Sequence, residues 1–327
     1  MRAMIMEKTG GPEVLHLAEV PTPEPGPGQV LIRVACAGVN PADWKDREGM
    51  LAIYGPYRFP YIPGFDAAGV VERVGPGVES PRPGDRVFTP GNHGQGAWGS
   101  YAEFLVADAD RAALIPPSMA FAAAASIPVA ALTGWQALFD RGGLQAGQTV
   151  MIHGGSGGLG SFAVQFARWA GAAVAATCST ANVDYVRGLG AEKAIDYRRE
   201  NIDEAIKAWA PGGLDLLVDA VGASTLPSGL DMVRPGGTYV SIPTLVDDGN
   251  IEAGFAAAEA RQVRRIFSTM SDVGCGDQLA RIAALIADGH VTLPPMQMLP
   301  LEQAAQAHVM IQTGHVRGKI VLTVAEV

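Results

Sequence analysis

The sequence predicts an α/β chain of two domains, a doubly wound parallel sheet inserted into a β-rich unit. Three observations predict it. From about Ala122 onward, strand-like and helix-like patterns alternate; residues 1 to about 110 instead carry short β-like runs and no helical period; and the final run, Lys319 to Val324, returns to the texture of the first part. A length of 327 residues also exceeds a typical single domain. The expected division is 1–122 with 271–327 for the β-rich domain and 123–270 for the insert.

In the first part, the runs Val30 to Ala35, Ala68 to Val74 and Asp85 to Phe88 are punctuated by Pro25 to Gly28, Gly75 to Gly77 and Pro83-Gly84. Two segments, Gly38 to Lys45 and Tyr61 to Asp66, put polar groups into apolar, turn-rich sequence, where a β scaffold would build a small-molecule site. Read alone, Asn40 and Asp43 serve equally as turn formers and Asp66 as a cap.

The insert opens on a helical segment holding Thr133 and Trp135. The apolar run Thr149 to His153 then enters a glycine cluster, followed by the helical pattern Ser161 to Ala170 and a second apolar run, Ala172 to Thr177. Within that strand, turn, helix and strand, Gly155, Gly157 and Gly160 have the spacing of a dinucleotide-binding turn. The first allows the turn, the second lets backbone approach a diphosphate, and the third lets helix pack on strand. Four more strands are expected at Lys193 to Asp196, Leu214 to Ala220, Thr238 to Ile242 and Arg264 to Ser268. Helices are expected around Val183, Ile202 to Trp209, Ser224 to Met232 and Ile251 to Ala260, then at Gln278 to Asp288 and Leu301 to Thr313. In such a sheet the ligand lies at the carboxyl ends of the strands. The short, permissive ends Ala220-Val221-Gly222, Ser241-Ile242-Pro243 and Phe267-Ser268 let backbone approach both halves of a dinucleotide.

Folds selective for NAD place an acid about 20 residues after the first glycine, to hold the ribose 2′-hydroxyl. The region Ala176 to Asn182 has none. Ser179, Asn182, Tyr197 and Arg198 are instead suited to a 2′-phosphate, so NADP(H) is the expected cofactor. The alternative for Arg198 and Arg199 is a solvated turn.

Composition excludes several classes. A net charge of −9, from 24 basic and 33 acidic residues, argues against nucleic acid or an anionic membrane as partner. The run Phe121 to Leu132 is too short and interrupted to span a bilayer. Met1 to Lys8 matches neither a secretory nor a transit signal, so a cytoplasmic protein is expected. Three scattered cysteines, Cys36, Cys178 and Cys275, leave no cysteine-rich zinc cluster.

From Met1 to Val324 the chain resembles the zinc-independent quinone oxidoreductase and alkenal/enone reductase branch of the medium-chain dehydrogenase/reductase superfamily. The resemblance rests on Gly38 to Asp43, Pro63 to Gly69, Pro83 to Val87, Ala131 to Gly134, His153 to Gly160, Leu189 to Ala191 with Ile195 to Tyr197, and Gly314 to Val321. It implies a GroES-like catalytic domain with an inserted Rossmann domain. It also implies hydride transfer from NADPH to a small-molecule quinone or an α,β-unsaturated ketone or aldehyde, and a homodimer whose edge strand resembles Thr238 to Ile242. Zinc alcohol dehydrogenases of the superfamily carry cysteine where this chain has Asn40 and histidine where it has Phe65, so no zinc is expected.

By the same resemblance Asn40, Asp43 and Lys45 form the catalytic cluster, with Asn40 lining the cleft. Thr133 holds the carboxamide of the nicotinamide. Gly155, Ser156, Gly157, Gly158, Leu159 and Gly160 cradle the diphosphate, and Ser179, Asn182, Tyr197 and Arg198 meet the 2′-phosphate. Val221, Gly222, Ile242 and Phe267 line the cofactor, and Lys319 reaches it from the returning strand. Many quinone oxidoreductases have tyrosine where this chain has Lys45, and several have a 2′-phosphate lysine where it has Val183. Lys45 either touches the ribose or substrate carbonyl or is a surface residue. An NADPH-binding protein with little turnover and an enoyl-thioester reductase are the alternative functions.

Overall fold

The computed structural model describes residues 1–52, 55–91, 98–242, 251–271 and 273–327. The chain opens with strands β1 (Arg2–Ile5), β2 (His16–Glu19) and β3 (Gln29–Val39), then helix α1 (Pro41–Arg47). Strands β4 (Asp66–Val74), β5 (Arg86–Thr89), β6 (Phe104–Asp108) and β7 (Ala113–Leu114) follow, with helices α2 (Phe121–Ala125) and α3 (Pro128–Trp135). Next come β8 (Thr149–His153), α4 (Gly158–Trp169), β9 (Ala173–Cys178), α5 (Val183–Gly188), β10 (Lys193–Asp196), α6 (Ile202–Trp209) and β11 (Leu214–Asp219). The chain closes with α7 (Gly229–Met232), β12 (Val233–Ser241), α8 (Ile251–Ala260), β13 (Arg264–Phe267), α9 (Cys275–Ala287), β14 (Met296–Pro300), α10 (Ala304–Gln312) and β15 (Lys319–Thr323).

These elements divide into two compact units. One contains Met1–Leu132, Asp272–Asp288 and Leu293–Val327; the other contains Thr133–Ser271 and Gly289–Thr292. The first division therefore falls at Leu132/Thr133, ten residues later than the expected 122/123. Packing explains this: a Cβ at Gly38 of β3 would meet the Ala125 carbonyl, and the Val129 N–H donates to Asp66 at the start of β4. Helix α2 and the first part of α3, to Leu132, thus belong to the β unit. Residues 289–292 stay with the insert because the Gln165 side chain bonds both the N–H and the carbonyl of Thr292.

The β unit is built on a seven-stranded sheet, ordered β14-β15-β3-β4-β5-β7 with β6 also paired to β3. β3 is its spine, eleven residues of which nine are buried. Its core includes Met6, Ile32, Ile62, Leu105 and Ile320, all fully buried. Six elements here have no counterpart in the sequence reading: strands β1, β2, β6, β7 and β14, and helix α1. Helix α1 is only seven residues long, too short to show a period, and the Asn40 and Asp43 taken as turn formers are its N-cap and third residue, with Pro41 leading the first turn. Strand β14 follows Pro295, ends at Pro300 and, among the described residues, pairs with β15 alone.

The inserted unit has a six-stranded parallel sheet in the order β10-β9-β8-β11-β12-β13. The order reverses between β8 and β11, the point where such sheets bind ligands. Helix α4 covers it with Phe162 and Phe166, both fully buried, each stabilising by about 1.5–3 kcal/mol. The expected helix Ser224 to Met232 is a short 3₁₀ turn followed by α7, interrupted at Pro227. Thr238 to Ile242, expected at a dimer edge, lies inside the sheet, since β12 pairs with both β11 and β13. The edge on that side is β13.

Candidate functional site

In the inserted unit, the glycine positions have separable reasons. A Cβ at Gly160 would lie 2.1 Å from the Gly154 carbonyl oxygen, and one at Gly155 would lie 2.7 Å from Ala176 Cβ, so both are fixed by packing. A Cβ at Gly157 would meet nothing nearer than 3.6 Å. A side chain there would fill the open approach to the amino end of α4, where Gly158, Leu159 and Gly160 supply helix N–H groups without intrahelical acceptors. This cradle fits a diphosphate. Gly134 packs 3.6 Å, measured from its ideal Cβ, from the Leu159 carbonyl, which sets the neighbouring, buried Thr133 beside the same turn.

Beyond β9, Asn182 Nδ2 donates to Ser156 Oγ at 3.2 Å and to Ser179 Oγ at 3.1 Å, so three expected cofactor residues meet. Tyr197 is tied to the same place, its N–H donating to the Cys178 carbonyl at 3.1 Å. Its ring is exposed, as is Arg198, whose side chain makes no ion pair among the described residues, whereas Arg199 pairs with Asp196. Hydroxyl, amide and guanidinium donors with no carboxylate ligand of their own suit a 2′-phosphate. Across the sheet, His153, Asp219, Ser241 and Phe267 stand in one row by strand register. Asp219 Oδ1 accepts from the Val221 and Gly222 N–H groups, and its carbonyl accepts from Ile242 N–H. Val221, Gly222 and Ile242 are therefore all held from one residue, Asp219, the first two by its carboxylate and the third by its backbone carbonyl. Pro243, residues 92–97 and positions 53 and 54 lie outside the described residues.

In the β unit, Asn40, Asp43 and Lys319 come together in a buried cluster. Lys319 Nζ donates to Val39 O at 3.0 Å, Asn40 Oδ1 at 2.6 Å and Asp66 Oδ2 at 3.2 Å. Asn40 Nδ2 donates to the same Asp66 oxygen at 2.8 Å. Lys319, assigned to the cofactor by resemblance, thus uses its three donors within its own unit, at 3% exposure. Its task is to orient Asn40 and neutralise Asp66. A divalent cation beside Asn40 would face this ammonium, and like charges at such range repel strongly.

Asp43 is fully buried and accepts into Oδ2 from the Asn40 N–H at 2.6 Å and the Tyr101 hydroxyl at 3.0 Å. Its Oδ1 has no hydrogen-bond partner among the described residues. Burial, the largest cause, raises its pKa to about 8 against the Asn40 bond, with the Asp66 charge adding to the rise. Tyr101 Oη also lies 3.2 Å from His308 Nε2, and His308 Nδ1 lies 3.3 Å from Arg47 Nη1. A guanidinium only donates, so Nδ1 accepts and Nε2–H donates to Tyr101. Burial and then the Arg47 charge push His308 down to about 3. A one-way string of donors runs from Arg47 to Asp43.

Lys45 stands two positions after Asp43 on α1 and so faces elsewhere. It is buried, 5.6 Å from the centroid of the Trp44 ring, and is not a surface lysine. Three positions after Asp43, Asp46 accepts from both the Tyr57 and Tyr61 hydroxyls. Sequence reasoning missed Tyr101, His308 and Arg47, which stand 58, 207 and 261 residues from their partners. The one available signal was a lone histidine in the otherwise uncharged helix Ala304–Gln312. Among the described residues no three His, Cys, Asp or Glu side chains are grouped to hold a metal ion.

Comparison with known proteins agrees with both halves. A family model described as alcohol dehydrogenase GroES-like domain matches residues 26–117, and one described as zinc-binding dehydrogenase matches residues 189–322. The chain is 33% identical to the NADPH-dependent alkenal/one oxidoreductase of Arabidopsis thaliana, over 98% of this chain and 79% of the relative. It is 34% identical to the quinone oxidoreductase of Sus scrofa, over 98% of this chain and 97% of that one. Among solved structures, the Escherichia coli quinone oxidoreductase complexed with NADPH superposes with a TM-score of 0.89 at 26% identity, covering 99% of this chain and all of the other.

Proposed function

From the premise that the chain belongs to the quinone oxidoreductase and alkenal/enone reductase branch of the medium-chain dehydrogenase/reductase superfamily, we propose a division of labour for its reaction. The protein is an NADPH-dependent oxidoreductase that reduces quinones or α,β-unsaturated carbonyl compounds. NADPH supplies the hydride when bound, and the protein supplies orientation and charge stabilisation. The glycine turn and the amino end of α4 take the diphosphate. Ser179, Asn182, Tyr197 and Arg198 take the 2′-phosphate, and Thr133 the carboxamide. Asn40, fixed by Lys319 and Asp66, orients the acceptor, and Lys45 bonds the acceptor oxygen as negative charge develops on it.

The observation that carries this reading is the ammonium of Lys319 bonded to Asn40 and Asp66. The polar centre of the β unit already has its cation. Acceptors that are electrophilic without a Lewis acid follow from that. The experiment is steady-state oxidation of NADPH and of NADH by the purified, chelator-treated protein with 1,4-benzoquinone, 9,10-phenanthrenequinone and a short 2-alkenal. Turnover that survives chelation supports the reading, and the acceptor ranking separates quinones from alkenals. NADPH binding without reduction of any acceptor, or loss of turnover on chelation, overturns it.

A homodimer is part of the proposal. Of the two edge strands of the inserted sheet, β10 and β13, the proposal takes β13 for pairing, because Phe255 of the neighbouring α8 is 42% exposed. Analytical ultracentrifugation tests it, and a monomer at micromolar concentration contradicts it.

A further inference from the structure

The motif His153 to Gly160 begins with a residue that the glycine spacing does not explain. His153 ends β8 and is 4% exposed. Its Nδ1 lies 2.8 Å from Thr177 Oγ1, at the end of β9, and its Nε2 lies 2.9 Å from Thr225 Oγ1, beyond β11. The neighbouring bonds fix where the ring proton sits. The Thr225 hydroxyl spends its hydrogen on the Gly222 carbonyl at 2.8 Å, so its oxygen accepts from His153 Nε2–H. Nδ1 is then the acceptor, and the Thr177 hydroxyl donates to it. Thr177 Oγ1 in turn accepts from the Gly154 N–H at 2.9 Å. Burial, the largest cause, lowers the histidine pKa, which agrees with a ring carrying one proton.

Every hydrogen in this string has one acceptor, and each threonine oxygen donates once and accepts once. Its two ends are backbone: the N–H of Gly154 and the carbonyl of Gly222. Both glycines hold positive φ, +91° and +130°, so each is the turn by which the chain leaves its strand. Those strands, β8 and β11, flank the place where the sheet order reverses. The turn after β8 leads into the diphosphate cradle, and the turn after β11 carries Val221 and Gly222. A hydrogen-bonded string between two such turns sets their spacing.

We infer that His153 is a positioning residue for the dinucleotide, acting through Thr177 and Thr225 to hold the two glycine turns at the distance that NADPH requires. The inference rests on this edge being the NADP(H) site and on nothing about the acceptor. Either broken link frees one turn, and cofactor affinity falls while the chemistry of bound cofactor does not change.

The test measures NADPH Kd by quenching of tryptophan fluorescence, KM and kcat with a quinone acceptor, and thermal midpoint. It compares wild type, Thr225→Val, Thr225→Ser, His153→Asn and the double variant His153→Asn/Thr225→Val. Asn can offer an acceptor near the position of Nδ1 but has no donor at Nε2. Losing one internal hydrogen bond predicts an NADPH Kd raised about fivefold in Thr225→Val and in His153→Asn. The double variant should be no weaker than the worse single variant, because both break one string. KM for NADPH should rise with Kd while kcat at saturating NADPH moves less than twofold, and Thr225→Ser, which keeps the hydroxyl, should restore the wild-type Kd. A lowered thermal midpoint with unchanged Kd, or Kd losses that add in the double variant, overturns the inference. If the wild type binds neither NADPH nor NADH, the cofactor reading itself fails and the inference with it.

Discussion

Along the carboxyl ends of β8, β9 and β11, polar contacts are made by backbone, hydroxyl and amide groups and the single-proton ring of His153, with Asp219 as the carboxylate gathering N–H groups. Around α1 they are made by ionisable side chains taken out of water: Asp43, Asp46, Asp66, Lys319, His308 and Arg47 are all buried. The first arrangement leaves donors facing outward for a polyanion. The second uses its charges on itself and presents few groups, Asn40 among them, in a fixed orientation. A site for a large charged ligand can be built from chain geometry, whereas a site for a small neutral acceptor needs a rigid frame of paired charges.

That contrast predicts the largest mutational effect at Lys319. Lys319→Met leaves the fully buried Asp66 carboxylate without its cation and should cost about 3–5 kcal/mol in denaturation. Asp66→Asn/Lys319→Met should recover most of that loss, and an additive double variant would show that the pair does not act as a unit.

The next largest effect belongs to the nucleotide edge. Gly160→Ala drives a methyl against the Gly154 carbonyl, 2.1 Å from the ideal Cβ. It should cost about 1–3 kcal/mol and weaken NADPH binding tenfold or more. Calorimetric titration checks the second figure.

A pH profile sharpens the comparison from the other side. Asp43, raised to about 8, binds its proton more tightly folded than unfolded, so stability falls as pH rises from the usual carboxylate range through about 8. His308, lowered to about 3, stays neutral when folded, so stability falls as pH drops from about 6.5 toward 3. The two slopes oppose each other between pH 4 and 6.5, and only that of Asp43 remains above it. The thermal midpoint should fall between pH 6.5 and 8.5 in the wild type and stay nearly level in Asp43→Asn. Equal slopes would mean that Asp43 is ionised throughout.

The smallest effect is expected at Asn182. Asn182→Ala should raise KM for NADPH about fivefold by removing one donor and the bridge between Ser156 and Ser179, with KM for NADH nearly unchanged.

The same contrast explains what the sequence disclosed. The nucleotide site is local: the spacing of Gly155, Gly157 and Gly160 and the missing acid after β9 are visible in a few tens of residues, because they encode backbone approach and charge. The strands β8 and β10 and the helices α6 and α8 lie where periodicity put them. The acceptor site is not local. Asn40 meets Lys319 across 279 residues and Tyr101 meets His308 across 207, and no pattern in the sequence announces a bond of that span. Lys319 was placed at the cofactor because nothing local shows that Val39, Asn40 and Asp66 take its three donors. Helix α1 escaped notice because seven residues are too few for a period, although the Asn40-Pro41-Ala42-Asp43 capping signature was there to be read. The edge strand was misplaced by one because strand order depends on crossovers.

The most direct test of the central claim, that the edge after β9 selects a 2′-phosphate with neutral and cationic donors and no acid, is fluorescence titration of the wild-type protein with NADPH and NADH. The structure predicts at least tenfold tighter binding of NADPH, with the difference shrinking as salt is raised. Equal affinities, or tighter binding of NADH, would contradict it.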